Sequence, residues 1–417
     1  MHLGSAMLRV AQRLPARAWR VVRIQRGIVT QAVPLSMARL EQLLEAEITT
    51  LALRTPRALT MQTLLEVANH SNAEELAQLL HEELPVHFAQ RIKMLEALPD
   101  WRCKPSISSV RQMYLTSFKE LRLADPDRPA QFTAQICAIK ERHAQTNLLV
   151  GGFKQYAEVS GLPVPEINDW LDKFFTLRLS TQMLMSHYLQ ISSDCPESIV
   201  GAHFDWLENP YRSSIDPECN VSRIAEHAAS IVTRMSLLRY GIAPAIEVRD
   251  HGSEAIPFIP KYLLYIVSEL LKNAVRATVE SHTDKALPPV HVAVSGDELG
   301  CCCRISDEGG GIPQAELPKV WSYLYTTAEP IETTTSRKAV DAPVDPRLLE
   351  QAICEAGHAD PMDRCGSPIA GLGCGLPLSR LYAKHFGGSV ELQSMPRFGT
   401  DAYVYINRLT ENVGPQF

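Results

Sequence analysis

The sequence predicts an α+β protein in two parts, an N-terminal four-helix bundle followed by a sandwich of helices on a largely antiparallel sheet. Three observations carry this expectation. Apolar residues recur at helical spacing from residue 40 to about 240. Beyond that point, helical patterns are interleaved with short alternating runs of strand character. Two glycine-rich segments, 307–313 and 371–377, interrupt the second part as a backbone does when it closes on a flat or charged ligand.

In the first part, residues 73–98 place Leu76, Leu79, Leu80, Leu84, Phe88, Ile92 and Leu95 on one helical face, with Pro85 expected to kink or restart the helix. Residues 107–123 repeat the pattern with Val110, Met113, Tyr114 and Phe118, and two longer runs follow at 130–159 and 165–189. Pro99, Pro105, Pro126, Pro129, Gly161 and Pro163 punctuate the joins. Four amphipathic helices with short connections imply a four-helix bundle, assigned to residues 36–210. Ser, Asp, Pro and Asn accumulate over 191–220 and mark the boundary. The second domain, 211–417, is expected to contain helices at 224–240, 260–281 and 376–386. Its strands are expected near 245–249, 290–295, 301–306, 389–394 and 402–407. Residues 329–368, with three consecutive Thr and several Pro, are expected to form a lid beside the glycine segments.

A chain of 417 residues with 45% hydrophobic content can bury two or three ordinary cores. No apolar run approaches the length of a membrane span. The first forty residues carry +7 and no acid, leaving −13 for the rest of a chain whose total is −6. That acidic body disfavours a nucleic-acid partner. Arg9, Arg13, Arg17, Arg20, Arg23 and Arg26 recur every three or four residues among apolar ones, and the first acid is Glu41. Residues 1–35 therefore read as a mitochondrial targeting presequence, cleaved between Arg26 and Arg39, which predicts a matrix location. The ten cysteines lack metal-ligand spacing. Cys301, Cys302 and Cys303 fall in a strand, where alternate residues face opposite ways, so buried reduced thiols are expected.

Chemistry concentrates in three segments. In Glu269-Leu-Leu-Lys272-Asn273-Ala-Val-Arg276-Ala277, helical spacing puts a proton acceptor, an amide oxygen and two cations side by side. In Asp307-Glu-Gly309-Gly-Gly311-Ile-Pro313 an apolar strand pattern ends in a carboxylate and gives way to three glycines. Gly371-Leu-Gly373-Cys-Gly375-Leu376-Pro377 leads into a helix whose first N–H groups would face an anion. Each segment alone is weak; together they read as an ATP site.

In this order, closed by Phe398-Gly-Thr400-Asp401, the segments resemble the N, G1 and G2 boxes of the GHKL ATPase superfamily, which includes gyrase and the histidine kinases. The resemblance implies a GHKL (Bergerat-type) α/β sandwich. The text of 269–278, 306–312, Tyr323-Leu-Tyr-Thr326-Thr327-Ala328, 375–383 and 398–402 is more specifically similar to the mitochondrial kinases of the 2-oxoacid dehydrogenase complexes. The helical part agrees, through Glu83-Leu-Pro-Val-His-Phe-Ala-Gln-Arg-Ile-Lys93 and Arg142-His143. The resemblance implies a protein serine kinase that phosphorylates and inactivates the E1 component of such a complex. It implies Glu269 as the catalytic base, Asn273 as the Mg²⁺ ligand, and Asp307 supported by Thr400 as the adenine acceptor. Lys272, Arg276, Thr326, Thr327 and the backbone at Gly309, Gly311, Gly371, Gly373, Gly375 and Leu376 would hold the rest of the nucleotide. His143 is implied near the transfer site, alongside the alternative of a packed bundle histidine. Implied partners are E1, the lipoyl domain of the E2 core and a second copy of the chain.

Two features depart from the animal pyruvate dehydrogenase kinases. Tyr265 stands one turn before Glu269, where those carry a His, and the chain stops at Phe417 without their longer tail. Ser214-Ile-Asp-Pro-Glu-Cys-Asn-Val221 looks like the pyruvate branch, so pyruvate dehydrogenase is the expected target and the branched-chain enzyme the alternative. Rival classes are a histidine kinase, for which His81-Glu-Glu-Leu-Pro85 is the candidate acceptor box, and a non-catalytic ATP-binding scaffold. Loss of Glu269 or Asn273 would mark the scaffold, and both are present.

Overall fold

A computed structural model of the chain describes residues 37–56, 73–143, 148–192, 216–282, 286–325 and 374–407. Residues 1–35, expected as a presequence, residues 329–368, expected as a lid, and Thr326, Thr327, Gly371 and Gly373 lie outside these residues.

The N-terminal part is a helical bundle. Helix α1 is Met37–Ala52, α2 Ala73–Glu96, α3 Pro105–Leu123, α4 Pro129–His143, α5 Leu148–Ser160 and α6 Val164–Ile191. Helices α2, α3, α4 and α6 enclose the core, while α1 packs on α2 and α5 on α3. The run expected at 130–159 is occupied by α4 and α5, with 144–147 outside the described residues. Pro85 does not restart α2, which is assigned as one helix across it. The missing N–H and the ring clash cost about 3 kcal/mol in a helix interior. Leu76, Leu80, Leu84, Phe88 and Ile92 on the same helix are fully buried, and each such side chain contributes about 1.5–3 kcal/mol. Tertiary packing therefore overrides the local penalty.

The C-terminal part is a mixed sandwich. It comprises β1 Asp216–Cys219, α7 Val221–Tyr240, β2 Ile246–Asp250, β3 Ile256–Phe258, α8 Pro260–Ser281, β4 Val290–Gly296 and β5 Gly300–Asp307. After these come α9 Gly375–His385, β6 Ser389–Met395 and β7 Gly399–Asn407. The five-stranded sheet has the order β2-β4-β5-β7-β6, parallel only between β2 and β4. Period-two alternation puts Val290, Val292, Val294, Cys301, Cys303, Ile305, Ala402, Val404 and Ile406 on the covered side. Helices α7, α8 and α9 lie against the sheet. A separate antiparallel pair, β1 with β3, is an addition to the expected elements.

Helix starts follow local chemistry. Asn220 caps α7, its side chain accepting from the Arg223 N–H at 3.0 Å, and Gly241 ends it in the left-handed region. Pro260 opens α8, where an N–H would lack a partner anyway. That helix carries the first chemical segment directly over β5, which ends in Asp307.

Candidate active site

Between α8, the end of β5, β7 and the start of α9 lies a cavity of about 340 Å³. Its lining includes Glu269, Lys272, Asn273, Arg276, Asp307, Gly309, Gly311, Gly375, Leu376 and Thr400. All the expected site residues within the described range, except His143, thus meet around one hollow.

On α8 the polar stripe is internally paired. Lys272 forms an ion pair with Glu269 one turn back, and Arg276 Nε donates to Glu280 Oε1 at 2.9 Å. Both cations are only partly exposed, at 20% and 16% of their side-chain surface, so an incoming polyanion would compete with carboxylates for them. Asn273, one turn after Glu269, is exposed and lines the cavity. The first residue of α9 closes against this stripe: a Cβ on Gly375 would collide with the Glu269 carboxylate.

Asp307 forms the floor. Burial pushes its carboxyl up to about 6, partly countered by N–H donors from Gly309 and Thr400. The Gly309 N–H donates to Asp307 Oδ1 at 2.8 Å. Thr400 is the direct cross-strand partner of Asp307 in the β5–β7 ladder. The glycines here are steric necessities. A Cβ on Gly309 would lie 2.5 Å from Ala277 Cβ and 2.7 Å from its carbonyl carbon, so the loop rests on the α8 backbone. Gly311 has φ +67° and faces the Met395 carbonyl. The β6–β7 turn holds this loop, with Arg397 N donating to Gly310 O at 2.7 Å and Gly310 N to Phe398 O at 3.0 Å.

Several contributors were not singled out from sequence. Ser394 accepts from the Ile312 N–H at 2.7 Å and lies 2.9 Å from Thr400 Oγ1, bridging the glycine loop to β7. Its only sequence signal is its place opposite Thr400 across the β6–β7 hairpin. Ile305, Leu392 and Ala402 supply an apolar wall suited to a flat ring, and Val320 and Tyr325 another. The first three sit at strand positions whose alternation was readable, but the β5-β7-β6 order that brings their three strands side by side was not.

His143 is not brought to this cavity. It ends α4 in the bundle core, fully buried, its Nε2 2.9 Å from Ser117 Oγ and its ring against Phe88 and Tyr114. Burial, reinforced by Arg91, Arg178 and Arg142, holds its pKa well below the usual imidazole range, so it is neutral and walled off. Its place is that of the alternative expectation, a histidine packed in the bundle, and it is not among the residues that line the cavity. His81 is likewise on α2 of the bundle, edge-on to Phe132, and burial lowers it to about 4. Tyr265 packs on Tyr382, ring centroids 5.2 Å apart, and is not among the cavity residues.

Chemically, the arrangement offers a carboxylate beside an amide oxygen, cations along one wall, a buried acceptor at the floor and a helix N-terminus at the rim. That is the equipment to hold a nucleotide and present its phosphates. Among the described residues no group of three or more His, Cys, Asp or Glu is arranged to hold a metal, and no helix is long and apolar enough to cross a membrane.

Comparison with known proteins bears on both parts. Residues 58–206 match the family described as mitochondrial branched-chain alpha-ketoacid dehydrogenase kinase. Residues 259–410 match the histidine kinase-, DNA gyrase B- and HSP90-like ATPase family. The mitochondrial [pyruvate dehydrogenase (acetyl-transferring)] kinase of Arabidopsis thaliana is 30% identical over 349 residues, spanning 81% of this chain and 86% of that protein. Isozyme 1 of the mitochondrial kinase of the same name from Mus musculus is 30% identical over 380 residues, 86% of this chain and 79% of the relative.

Proposed function

The chain belongs to the mitochondrial 2-oxoacid dehydrogenase kinases, protein serine kinases with a GHKL ATPase domain, and from that premise we propose that it phosphorylates and inactivates the E1 component of pyruvate dehydrogenase. The observation that carries the reading is the convergence of Glu269, Asn273, Asp307, Thr400 and the start of α9 on one cavity.

In this mechanism ATP lies with its adenine amino group on Asp307, backed by Thr400, and with its ring between Ile305, Leu392 and Ala402. Gly309 lets the loop come close enough for this. Lys272 and Arg276 exchange their carboxylate partners for phosphate oxygens, while the Gly375 and Leu376 amides and the backbone at Gly311, Gly371 and Gly373 complete the cradle with Thr326 and Thr327. Asn273 offers one hard oxygen facing the cavity. Mg²⁺ keeps several waters and phosphate oxygens and asks little more of the protein, so the residue fits it. When bound, the ion would neutralise phosphate charge. Glu269, released from Lys272, accepts the proton of the substrate serine hydroxyl as its oxygen forms the bond to the γ-phosphorus and ADP leaves.

The same reading assigns residues 36–210 to a regulatory bundle that meets the E2 lipoyl domain, 211–417 to the kinase domain with 329–368 as its lid, and 1–35 to a presequence. It also assigns a homodimer and a matrix location. The match of 58–206 to a branched-chain kinase family favours branched-chain E1 as the second candidate substrate. One experiment separates them: the purified kinase is given ATP, a lipoylated core, and each E1 in turn. Serine phosphate on pyruvate dehydrogenase E1 alone is expected. Serine phosphate on the branched-chain E1 alone would transfer the assignment. Acid-labile phosphate retained on His81 with ATP alone would point to histidine-kinase chemistry, and no phosphate anywhere to a scaffold.

A further inference from the structure

We propose that Tyr323 is a positioning residue that ties one wall of the nucleotide cavity to helix α6 of the bundle, so that the packing of the bundle sets nucleotide affinity. The proposal rests on the reading of the cavity as an ATP site and deepens it.

The segment in question begins with a short 3₁₀ turn, Lys319–Trp321, and runs to Tyr325. It contributes Val320 and Tyr325 to the cavity. Between those two residues the chain is pinned from the bundle side. The Tyr323 hydroxyl donates to Asp172 Oδ1 at 2.6 Å. The Tyr323 N–H and the Ser322 hydroxyl both donate to Asn168 Oδ1, at 3.2 and 3.0 Å. The Tyr323 ring packs on Phe175, centroids 5.5 Å apart. Asn168, Asp172 and Phe175 are spaced by four and three residues and so form one stripe of α6. Tyr323 is 1% exposed although it sits where the two parts of the molecule meet.

Two further contacts make the segment a shared part. On its other side Arg380 of α9 stacks over Trp321 at 4.8 Å, and α9 begins at the cavity rim. Inward from α6, the ring contacts continue from Phe175 to Phe174 and from Phe174 to Tyr114. A shift of α6 therefore cannot occur without moving the acceptors of three hydrogen bonds that hold Ser322 and Tyr323, which lie between Val320 and Tyr325 in the chain. Hydrogen bonds to a carboxylate are short and strong, and this one has a buried donor.

The bland reading is that these contacts only glue two domains together. Nucleotide affinity distinguishes the two. Tyr323→Phe, which deletes one oxygen, Asp172→Ala and the double variant are compared with wild type by ATP titration in the presence of Mg²⁺, by steady-state kinetics and by thermal unfolding. Each single change is expected to raise the Kd and KM for ATP about fivefold, the lower end of ordinary site-to-site coupling, with kcat little changed. The double variant should be no worse than the weaker-binding single one, because both delete the same bond. Gln78→Ala, which removes a surface bond from Gln78 to Asp127 in the bundle, should leave ATP affinity alone. Unchanged affinity in both single variants while Tm falls, or strictly additive losses, would overturn the proposal and leave the ATP site standing. A wild-type protein that binds no nucleotide would overturn both.

Discussion

Among the described residues, two gatherings of ionisable side chains contrast: one is enclosed in the bundle core, and the other lines a cavity. In the bundle core, Arg91 donates to Tyr114 at 3.0 Å and to Thr181 at 2.7 Å, and His143 lies against Tyr114 with Arg178 nearby. On α8, Glu269, Lys272, Asn273 and Arg276 present the same kinds of chemistry to a cavity. In the core, acceptors and rings surround Arg91, and burial holds His143 neutral. On α8, the Lys272–Glu269 and Arg276–Glu280 pairs are partly exposed and lie along the cavity wall, where a polyanion can compete for the cations. Residue type thus says little about function until the surroundings say whether a partner is already built in.

The sharpest way to break this contrast is to close the open region. Gly309→Ala puts a methyl group against the α8 backbone at Ala277. Overpacking of this kind costs about 1–3 kcal/mol, so ATP affinity should fall by up to roughly a hundredfold, measured by titration, with secondary structure retained by circular dichroism. Asp307→Asn should follow. Losing a charged hydrogen bond to the adenine costs about 1.5–3 kcal/mol, so ATP affinity should drop at least about tenfold, and unaltered affinity would remove Asp307 from the site.

A pH series sharpens the same residue. Its carboxyl sits near 6 in the folded protein, above its ordinary value, because it is buried. The ionised form, which accepts from adenine in the proposed binding mode, is therefore present above about pH 6 and lost below it. ADP binding should weaken between pH 7.5 and 5.5, and Asp307→Asn should flatten the part of that change the phosphates do not cause. For stability the sign is opposite to that of a salt-bridged acid. The native state holds a proton the unfolded chain would release between about pH 4 and 6, so this group's contribution declines as pH rises through that window. The bundle histidines act the other way. His87 is lowered to about 3 and His81 to about 4 by burial, so acidification below about 6.5 draws protons onto the unfolded chain and destabilises the bundle.

The smallest effect on nucleotide binding is expected from the closed region. His143→Gln should lower the Tm by several degrees, since it leaves a buried network with altered donors, while ATP affinity stays within about twofold. A large loss of affinity without loss of stability would place His143 functionally at the cavity after all.

Much of the second half was legible because its signals are local. Alternation marked β4, β5 and β7, and glycines marked the loops that touch α8. Strands β1 and β3 escaped because Asp-Pro-Glu-Cys and Ile-Pro-Phe are short, contain proline and show no period. The unbroken α2 across Pro85 is a case where the rest of the bundle outweighs a local rule. The pairings of Ser394 with Ile312 and of Tyr323 with Asp172 were out of reach for another reason: they span 82 and 151 residues of chain, and nothing in the neighbouring residues announces them. His143 was visible as a motif residue, but its enclosure by three helices was not.

In the proposed mechanism Glu269 serves chemistry rather than nucleotide binding or folding. The most direct measurement is to take Glu269→Gln, determine its Kd for ATP, and follow serine phosphate on pyruvate dehydrogenase E1 with the same preparation. A Kd close to that of wild type with transfer reduced by about a hundredfold or more is expected, as for loss of a positioned base. Transfer at the wild-type rate would contradict the account.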